Sequence, residues 1–355
     1  RVLIIDWFNL IKRYTYSHDL SELSIEEIVD QLTNSKLNRI STLMYLVKPD
    51  LICICSDSGF NRRASNVVDG YKANRKRQKS LTDKEKETDY IEFLRRLIKV
   101  LPFAYVEVKD TEADLVIRCV IHYLTKLNEN ISITIASSDS DLLQLLSNNV
   151  KIYDWYKEDV NLNNWYKKHS ISDKPIIKVS DYALIKSIVG DSSDNIKGVN
   201  GIGWKKMIKL YNIIYSFFNK EKIEISNVHD LLDILQIVLK KDLTKNDAKF
   251  INTIFTLIKE NESLVRTNQS VVDLSMLETP YLYKINKLIE VSFFENDFNF
   301  NQKAMIEAMK LDRFRDSVGS GEYEKIVEKN LKSSMMFKYL SWKSKKLIQN
   351  LRKER

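Results

Sequence analysis

The sequence feature that most constrains the fold is a series of four short apolar runs, each of which leads into one or two acidic residues. The runs are VLIID (2–6), LICICSD (51–57), FAYVEV (103–108) and SITIASSD (132–139), and amphipathic segments separate them. Buried strands that alternate with helical segments predict an α/β fold, with a mostly parallel central sheet flanked by helices. Ligands of such sheets bind outside the carboxyl ends of the strands, so the acidic residues are expected to converge there.

Six acidic residues belong to these four strand ends. They are Asp6, Asp57, Glu112, Asp114, Asp139 and Asp141. A single aspartate after a strand is often an ordinary helix cap, but six acids at four strand ends favour a common site. Crowded carboxylates raise each other's pKa unless cations neutralise them, so the pattern predicts a metal site.

The type of metal follows from the available ligands. The four histidines are dispersed along the chain, which argues against zinc. Ligation by oxygen alone suits Mg²⁺ or Mn²⁺, and a pair of such ions is a common device for in-line attack on a phosphodiester. The acidic residues therefore indicate a site for two Mg²⁺ or Mn²⁺ ions in a nuclease.

The stretch GDSSDNIKGVNGIGWKK (190–206) joins two further aspartates, Asp191 and Asp194, to a glycine-rich turn. The glycines and lysines of the turn are Gly198, Gly201, Gly203, Lys205 and Lys206. Their spacing is that of a helix-hairpin-helix, in which backbone N–H groups at a helix N-terminus face a DNA phosphate. A glycine-rich turn alone is often only a turn, but its fusion to two aspartates predicts an element that couples DNA binding to the metal cluster.

Charge and composition indicate the partner and the compartment. The formal net charge is +8 even with these eight acids included, so the rest of the chain is more strongly basic still. Such a charge suits a nucleic acid, although it would also fit a ribosome-associated or membrane-surface protein. The chain has no run of 18 apolar residues, its first segment resembles a buried strand more than a signal peptide, and its three cysteines lack CxxC spacing. We therefore expect buried thiols and a cytoplasmic protein that is not secreted.

The pattern along the chain predicts three parts. An α/β catalytic domain covers residues 1–178, a mostly helical DNA-binding domain covers 179–317, and a basic helical tail covers 318–355. A hinge is expected at 317–325. Leu340, Leu347, Ile348 and Leu351 would share one face of a helix in the tail. This face favours a packed terminal helix over docking on a replication partner such as a sliding clamp or a single-strand-binding protein.

Together these motifs resemble those of the 5′ nuclease family of flap endonucleases and 5′–3′ exonucleases. The matching segments are LIIDWFNLIKR (3–13), CSDSGFNRRASNVVDGYKANRKR (55–77), TEADLVIRCVIHYL (111–124), ASSDSDLLQLL (136–146) and the stretch 190–206. They occur in the order of the family. The arginine pair after Phe60 and the divergent C-terminal portion are most similar to bacteriophage ribonuclease H and phage flap nucleases.

The resemblance implies a fold and a division of the metal ligands. The fold would be a PIN-like 5′ nuclease core followed by a helical domain that contains the helix-hairpin-helix, with K⁺ as a further candidate ion at its turn. One Mg²⁺ or Mn²⁺ would be held by Asp6, Asp57, Glu112, Asp114 and Asp139, and Asp141, Asp191 and Asp194 would hold or orient the second. Many members have a second aspartate directly after the EAD acid, whereas Leu115 stands here.

The basic segment from Arg62 to Lys86 has two interpretations. Its composition alone predicts a solvated charged segment. The resemblance implies instead an arch, at about residues 60–90, under which a 5′ single strand passes. Lys72 and Arg75 would then contact the scissile phosphate, and Tyr71 would stack on an unpaired base. Further candidate DNA contacts are Arg13, Arg62 and Arg63.

The sequence thus predicts a monomeric, structure-specific 5′ nuclease that acts on branched or nicked duplex DNA and RNA–DNA hybrids. It would remove RNA primers and 5′ flaps during lagging-strand synthesis, in the host cell of a phage, and would have RNase H activity. One alternative is a catalytically silent branched-DNA-binding subunit, whose mark would be missing carboxylates. Another is a PIN-type ribonuclease, which would lack the hairpin after GDSSDN.

Overall fold

The computed structural model of the chain describes residues 1–15, 34–58, 62–73, 81–154, 161, 165, 177–276, 279–299 and 334–354. The predicted hinge at 317–325 lies outside these residues. No helix in the described part of the chain combines the length and the apolar character that crossing a membrane requires.

The centre of the fold is a parallel sheet of five strands. In chain order they are β1 (Val2–Asp6), β2 (Leu51–Ser56), β3 (Ala104–Glu107), β4 (Ile133–Ala136) and β5 (Val150–Tyr153). Their order across the sheet is β3-β2-β1-β4-β5, and each neighbouring pair is parallel. The predicted fold class and the four predicted strands are confirmed, whereas β5 was not predicted.

Helices cover both faces of this sheet. In chain order, the helices of this part of the chain are α1 (Trp7–Thr15), α2 (Asn34–Val47), α3 (Arg62–Val67), α4 (Leu81–Lys99) and α5 (Ala113–Leu127). Of these, α3 lies apart from the clusters on the sheet, because its Ala64 packs in a separate cluster with Tyr71. Leu3 and Ile5 pack in one apolar cluster with α1, α2 and α4, and Val2 and Ile4 pack in a second with α5. Successive residues of a strand point to opposite faces, which explains why β1 is apolar throughout up to Asp6.

The second half of the described chain is helical, as predicted. Its helices are α6 (Tyr182–Val189), α7 (Trp204–Phe217), α8 (Val228–Val238), α9 (Lys245–Glu260), α10 (Glu262–Val272), α11 (Thr279–Glu290) and α12 (Ser334–Glu354). Helices α6 to α10 contribute to a third apolar cluster of their own, and α11 packs with α5 in the second.

The C-terminal helix α12 lies at the amino ends of the strands. Its Ser344 Oγ donates a hydrogen bond of 3.1 Å to the carbonyl of Asp50, the residue before β2, and Lys343 Nζ lies 2.6 Å from an oxygen of the Asp50 carboxylate. Leu340 is buried in the first apolar cluster, and Ile348 and Leu351 are buried in the second. The expected packed terminal helix is therefore confirmed.

Candidate active site

All eight acidic residues of the predicted metal site line one cavity. They are Asp6, Asp57, Glu112, Asp114, Asp139, Asp141, Asp191 and Asp194. Six of them come from the carboxyl ends of β1, β2, β3 and β4 or from the turns that follow, as the parallel topology requires. The volume of the cavity is about 180 Å³, far more than the roughly 10–15 Å³ that one water molecule requires. Hydrated metal ions therefore fit.

Asp6 is one of the two most buried of these acids. Its side chain accepts hydrogen bonds from the backbone N–H of Asn9 at 3.1 Å and from Ser137 Oγ at 2.8 Å. Burial first, then the charges of Asp57 and Asp139, raise the pKa of Asp6 to about 7. A raised pKa is expected for a buried carboxylate among other acids, and a bound metal ion would stabilise its charged form.

The N-terminus of α5 positions the acids that follow β2 and β3. Asp57 Oδ1 accepts a hydrogen bond of 2.5 Å from the backbone N–H of Ala113. Glu112 precedes the helix, and Asp114 lies in its first turn. Burial and the neighbouring charge of Glu112 hold the pKa of Asp114 well above its ordinary value.

A buried lysine contacts two of the acids. Asp141, Asp191 and Asp194 each place one carboxylate oxygen within 4.8 Å of the other two. Lys186 Nζ, from α6, contacts Asp141 and lies 2.7 Å from Asp191. Burial lowers the pKa of Lys186, but the charges of Asp141 and Asp191 outweigh that effect and raise it.

Lys72 lines the cavity beside the acids. Its Nζ contacts Glu112 and lies 3.7 Å from Asp194, and its backbone adopts a left-handed φ of 55°. The backbone N–H of Lys72 donates a 2.9 Å hydrogen bond to the carbonyl of Asp194. A residue of the predicted arch is thus fixed to the loop that carries the last two acids.

Tyr71 is held in a position that conflicts with its predicted stacking on a base. The side chain is 6% exposed and packs in a small cluster with Ala64 and Ile196. Its hydroxyl donates to Glu112 Oε2 at 3.0 Å and lies 3.3 Å from Asp194 Oδ2. Because its ring packs inside the protein, Tyr71 supports the acidic site instead of presenting a face to DNA.

Asn195 adds a second connection between the arch residues and the acidic loop. Its Nδ2 donates a 2.9 Å hydrogen bond to the carbonyl of Gly70. Asp191 and Ile196 exchange backbone hydrogen bonds of 2.9 and 2.8 Å across the same turn. Together these bonds keep Lys72, Asp191 and Asp194 in one arrangement.

The glycine-rich turn exposes the start of α7. Gly201 has a φ of 81°, which favours glycine, and Gly203 precedes the helix. Within the described residues no side chain caps this helix N-terminus. Lys205 and Lys206 are exposed beside it, and Lys206 Nζ donates a 2.6 Å hydrogen bond to the Gly201 carbonyl. An exposed helix N-terminus beside two lysines is suited to a phosphate.

Gly198 differs from the other two glycines of the turn. A Cβ there would lie 2.0 Å from the carbonyl oxygen of Val189, whereas a Cβ on Gly201 or Gly203 would meet no atom within 4 Å. The missing side chain of Gly198 therefore permits close packing of the loop against the end of α6, and its predicted contact with DNA stays a prediction.

We expect Gly198→Ala to lower the free energy of unfolding by about 3 kcal/mol, because backbone atoms must move to admit the methyl group. Gly203→Ala is the matched control. Its backbone has a φ of −125°, which alanine tolerates, and the site is open, so the expected loss is below about 1 kcal/mol. Urea unfolding of both variants measures the difference, and equal losses would contradict the close-packing role of Gly198.

For four predicted DNA contacts the structure does not describe the side chain. Arg75 belongs to a segment that is not described. For Arg13, in α1, and for Arg62 and Arg63, in α3, the backbone is described but the side chains are not.

Two residues of the site were not found from the sequence, Lys186 and Asn195. A lysine inside the apolar segment YALIKSIV was a usable signal, since seven of the eight residues of α6 are buried, including Lys186. For Asn195 the signal was weaker, because asparagine is common in turns for local reasons.

With the fold and the site known, comparison with known proteins gives the family. Residues 1–174 match the family described as "5′-3′ exonuclease, N-terminal resolvase-like domain". Residues 1–174 therefore form a 5′-3′ exonuclease N-terminal domain, and the chain as a whole is similar to 5′–3′ exonucleases and flap endonucleases.

Several curated proteins are similar to the chain. It is 24% identical to the flap endonuclease of Escherichia phage T5 over 279 residues, which are 77% of this chain and 83% of that protein. It is 28% identical to a 5′-3′ exonuclease of Mycoplasma pneumoniae, over 65% of this chain and 78% of that protein. It is also 30% identical to DNA polymerase I of Caldicellulosiruptor bescii over 52% of this chain, and the match spans only 22% of that polymerase.

Solved structures share the fold. A crystal structure of the T5 D15 protein co-crystallised with metal ions superposes with a TM-score of 0.59 at 22% identity, covering 82% of this chain and 99% of that one. A complex of the T5 D15 flap endonuclease with DNA and metal ions gives a TM-score of 0.56 at 20% identity, covering 93% and 98%.

Proposed function

We propose that the protein is a metal-dependent 5′ nuclease that hydrolyses phosphodiesters in branched or nicked DNA, acting as a flap endonuclease and 5′–3′ exonuclease. The observation that carries the proposal is the convergence of all eight predicted acids on one cavity, fused through residues 190–206 to an exposed helix N-terminus. A catalytically silent subunit would not need eight acids in one cavity, where burial and mutual repulsion destabilise their charged forms.

The ligand set fits two Mg²⁺ or Mn²⁺ ions. The donors are carboxylate oxygens, which these ions prefer. Asp6, Asp57, Glu112, Asp114 and Asp139 would hold one ion, and Asp141, Asp191 and Asp194 would hold or orient the second. When bound, the ions would supply an activated water and stabilise the negative charge that develops on the phosphate.

Among the described residues, Lys72 and Lys186 place positive charge against the acids. Each contacts two carboxylates. Lys72 lines the same cavity as the acids, so its charge would lie near the scissile phosphate and favour the transition state there. Arg75, Arg62, Arg63 and Arg13 remain proposed contacts to the substrate strand.

The helix-hairpin-helix turn would bind the duplex part of the substrate. Gly201 and Gly203 expose backbone N–H groups at the start of α7, and Lys205 and Lys206 add positive charge. Contacts to phosphates position the protein and carry no sequence information. The enzyme would therefore select a branched shape in preference to a base sequence, with K⁺ as a candidate ion at the turn.

The biological setting is proposed on the same basis. A chain that cuts 5′ ends would remove 5′ flaps and RNA primers in lagging-strand replication and would cleave RNA–DNA hybrids. It would act in the cytoplasm, as a monomer, and the similarity to a phage T5 enzyme supports a phage origin. A sliding clamp or a single-strand-binding protein remains a candidate partner.

The deciding experiment is cleavage of a 5′-flap duplex with Mg²⁺, with Mn²⁺ and with EDTA. We expect cleavage close to the junction with either metal ion and none with EDTA. The matched control is a 3′-flap duplex of the same sequence, whose flap strand should not be cut at the junction. Binding without cleavage in both metals would favour the silent branched-DNA-binding subunit, and cleavage of single-stranded RNA alone would favour the PIN-type ribonuclease.

A further inference from the structure

The outward face of α12 carries two aromatic side chains that its packing does not use. Tyr339 is 59% exposed and Trp342 is 57% exposed, and their rings stack with centroids 6.1 Å apart and planes 28° from parallel. The helix is held to the sheet by other residues, among them Phe337 and Leu340. Large exposed aromatic side chains side by side are typical of binding surfaces.

Cations surround the aromatic pair. Lys343 Nζ lies 5.4 Å from the centroid of the Tyr339 ring, and Lys346 Nζ lies 5.5 Å from that of Trp342. Lys343 is half-buried beside Asp50, whereas Lys338, Lys345, Lys346 and Lys353 are exposed on this helix. Residues 337–353 include no aspartate or glutamate. The result is a basic, aromatic stripe that extends for about 20 Å along the helix.

We propose that this stripe is a binding surface for single-stranded DNA. Unpaired bases stack on exposed aromatic rings whatever the sequence, while neighbouring cations follow the phosphates. Duplex DNA would satisfy the lysines, but its base faces are covered by stacking within the duplex. An acidic protein surface would likewise pair with the lysines, but it would offer no flat group to stack on the exposed rings.

The stripe is separate from the acidic cavity. Ser344 and Lys343 fix α12 to Asp50, at the amino end of β2, whereas the acids lie at the carboxyl ends of the strands. The six residues of β2 separate the two ends by about 20 Å. The stripe would therefore hold a single strand away from the site of cleavage, and the inference does not depend on the proposed nuclease activity.

The test is binding of a fluorescently labelled 12-nucleotide oligothymidylate in EDTA, measured by anisotropy on the full chain. Without divalent ions no cleavage is expected, and the eight acids of the cavity, which outnumber Lys72 and Lys186, repel DNA. Tyr339→Ser/Trp342→Ser should weaken binding by at least about fivefold for each ring removed. Trp342→Phe, which keeps an aromatic face, should bind within about twofold of the wild type.

Fluorescence locates the contact. Oligothymidylate should quench part of the tryptophan emission of the wild type, and Trp342→Phe should lose that part while it still binds. Tyr283→Ser, which removes a 72% exposed tyrosine from α11, controls for a general effect of aromatic loss and should bind normally. Thermal unfolding should show that all variants are folded.

Three outcomes would overturn the inference. The first is unchanged affinity of the serine double variant for oligothymidylate. The second is equal weakening of its binding to single-stranded and duplex DNA of the same length, which would show that the rings do not recognise unpaired bases. The third is a change from dimer to monomer in sedimentation with DNA affinity unchanged, which would make the stripe a contact between two copies of the chain.

Discussion

Asp191→Asn is expected to reduce the rate of phosphodiester cleavage by about 10³-fold, and to leave binding of flap DNA in Ca²⁺ nearly unchanged. Although burial opposes ionisation, Lys186 lowers the pKa of Asp191 to about 2, so the side chain is charged at every working pH. Asparagine keeps an oxygen that can accept the bonds from Ser193 at 2.8 and 2.6 Å. The substitution therefore removes the charge that a metal ion needs while it preserves the loop.

Single-turnover cleavage of a 5′-flap duplex in Mg²⁺ measures the rate, and anisotropy in Ca²⁺ measures binding. Asp233→Asn is the matched control, because this aspartate is exposed on α8 and lies 3.7 Å from His229, away from the cavity. It should cut at the wild-type rate. An Asp191→Asn variant that cuts within tenfold of the wild type would remove Asp191 from the proposed metal site.

The sheet and the convergence of the acids could be predicted from the sequence because both depend on local pattern. In a parallel sheet a continuous apolar run such as VLIID marks a strand buried on both faces, and the residue at its end lies at the ligand-binding edge. Asp6 and Asp57 are placed in this way by the pairing of β1 with β2, in which Asp6 lies level with Cys55. The strand β5, which was not predicted, has the sequence VKIY, in which an exposed lysine at the sheet edge interrupts the apolar run.

Orientation and long-range contacts could not be predicted in the same way. The sequence places Tyr71 beside Lys72, but only the fold reveals that Ile196 and Val271, more than a hundred residues later, bury its ring. Gly198 and Gly203 follow the same motif, yet only the approach of Val189 to Gly198 distinguishes a packed glycine from an exposed one. The roles of Tyr71 and Gly198 depend on which segments make contact in the fold, and a single sequence does not show these contacts.

Lys186 is the residue whose loss tests the electrostatic balance of the site. Its side chain is 8% exposed, and its ammonium group contacts Asp141 and Asp191. We expect Lys186→Met to lower the free energy of unfolding in EDTA by about 3–5 kcal/mol, because it leaves buried carboxylates without their cation. Methionine matches the length of the lysine stem, so a cavity contributes little to the loss.

Divalent ions distinguish electrostatic repulsion from lost packing in this variant. Mg²⁺ binds the folded state and not the unfolded chain, so it stabilises the protein, and it should raise the melting temperature of Lys186→Met more than that of the wild type. Lys209→Met is the matched control, since Lys209 is exposed and pairs with Asp247 at 3.4 Å, and it should cost less than about 1 kcal/mol. A loss in Lys186→Met that Mg²⁺ leaves unchanged would mean that the lysine stabilises the core through packing, and that the acids tolerate one another without a cation.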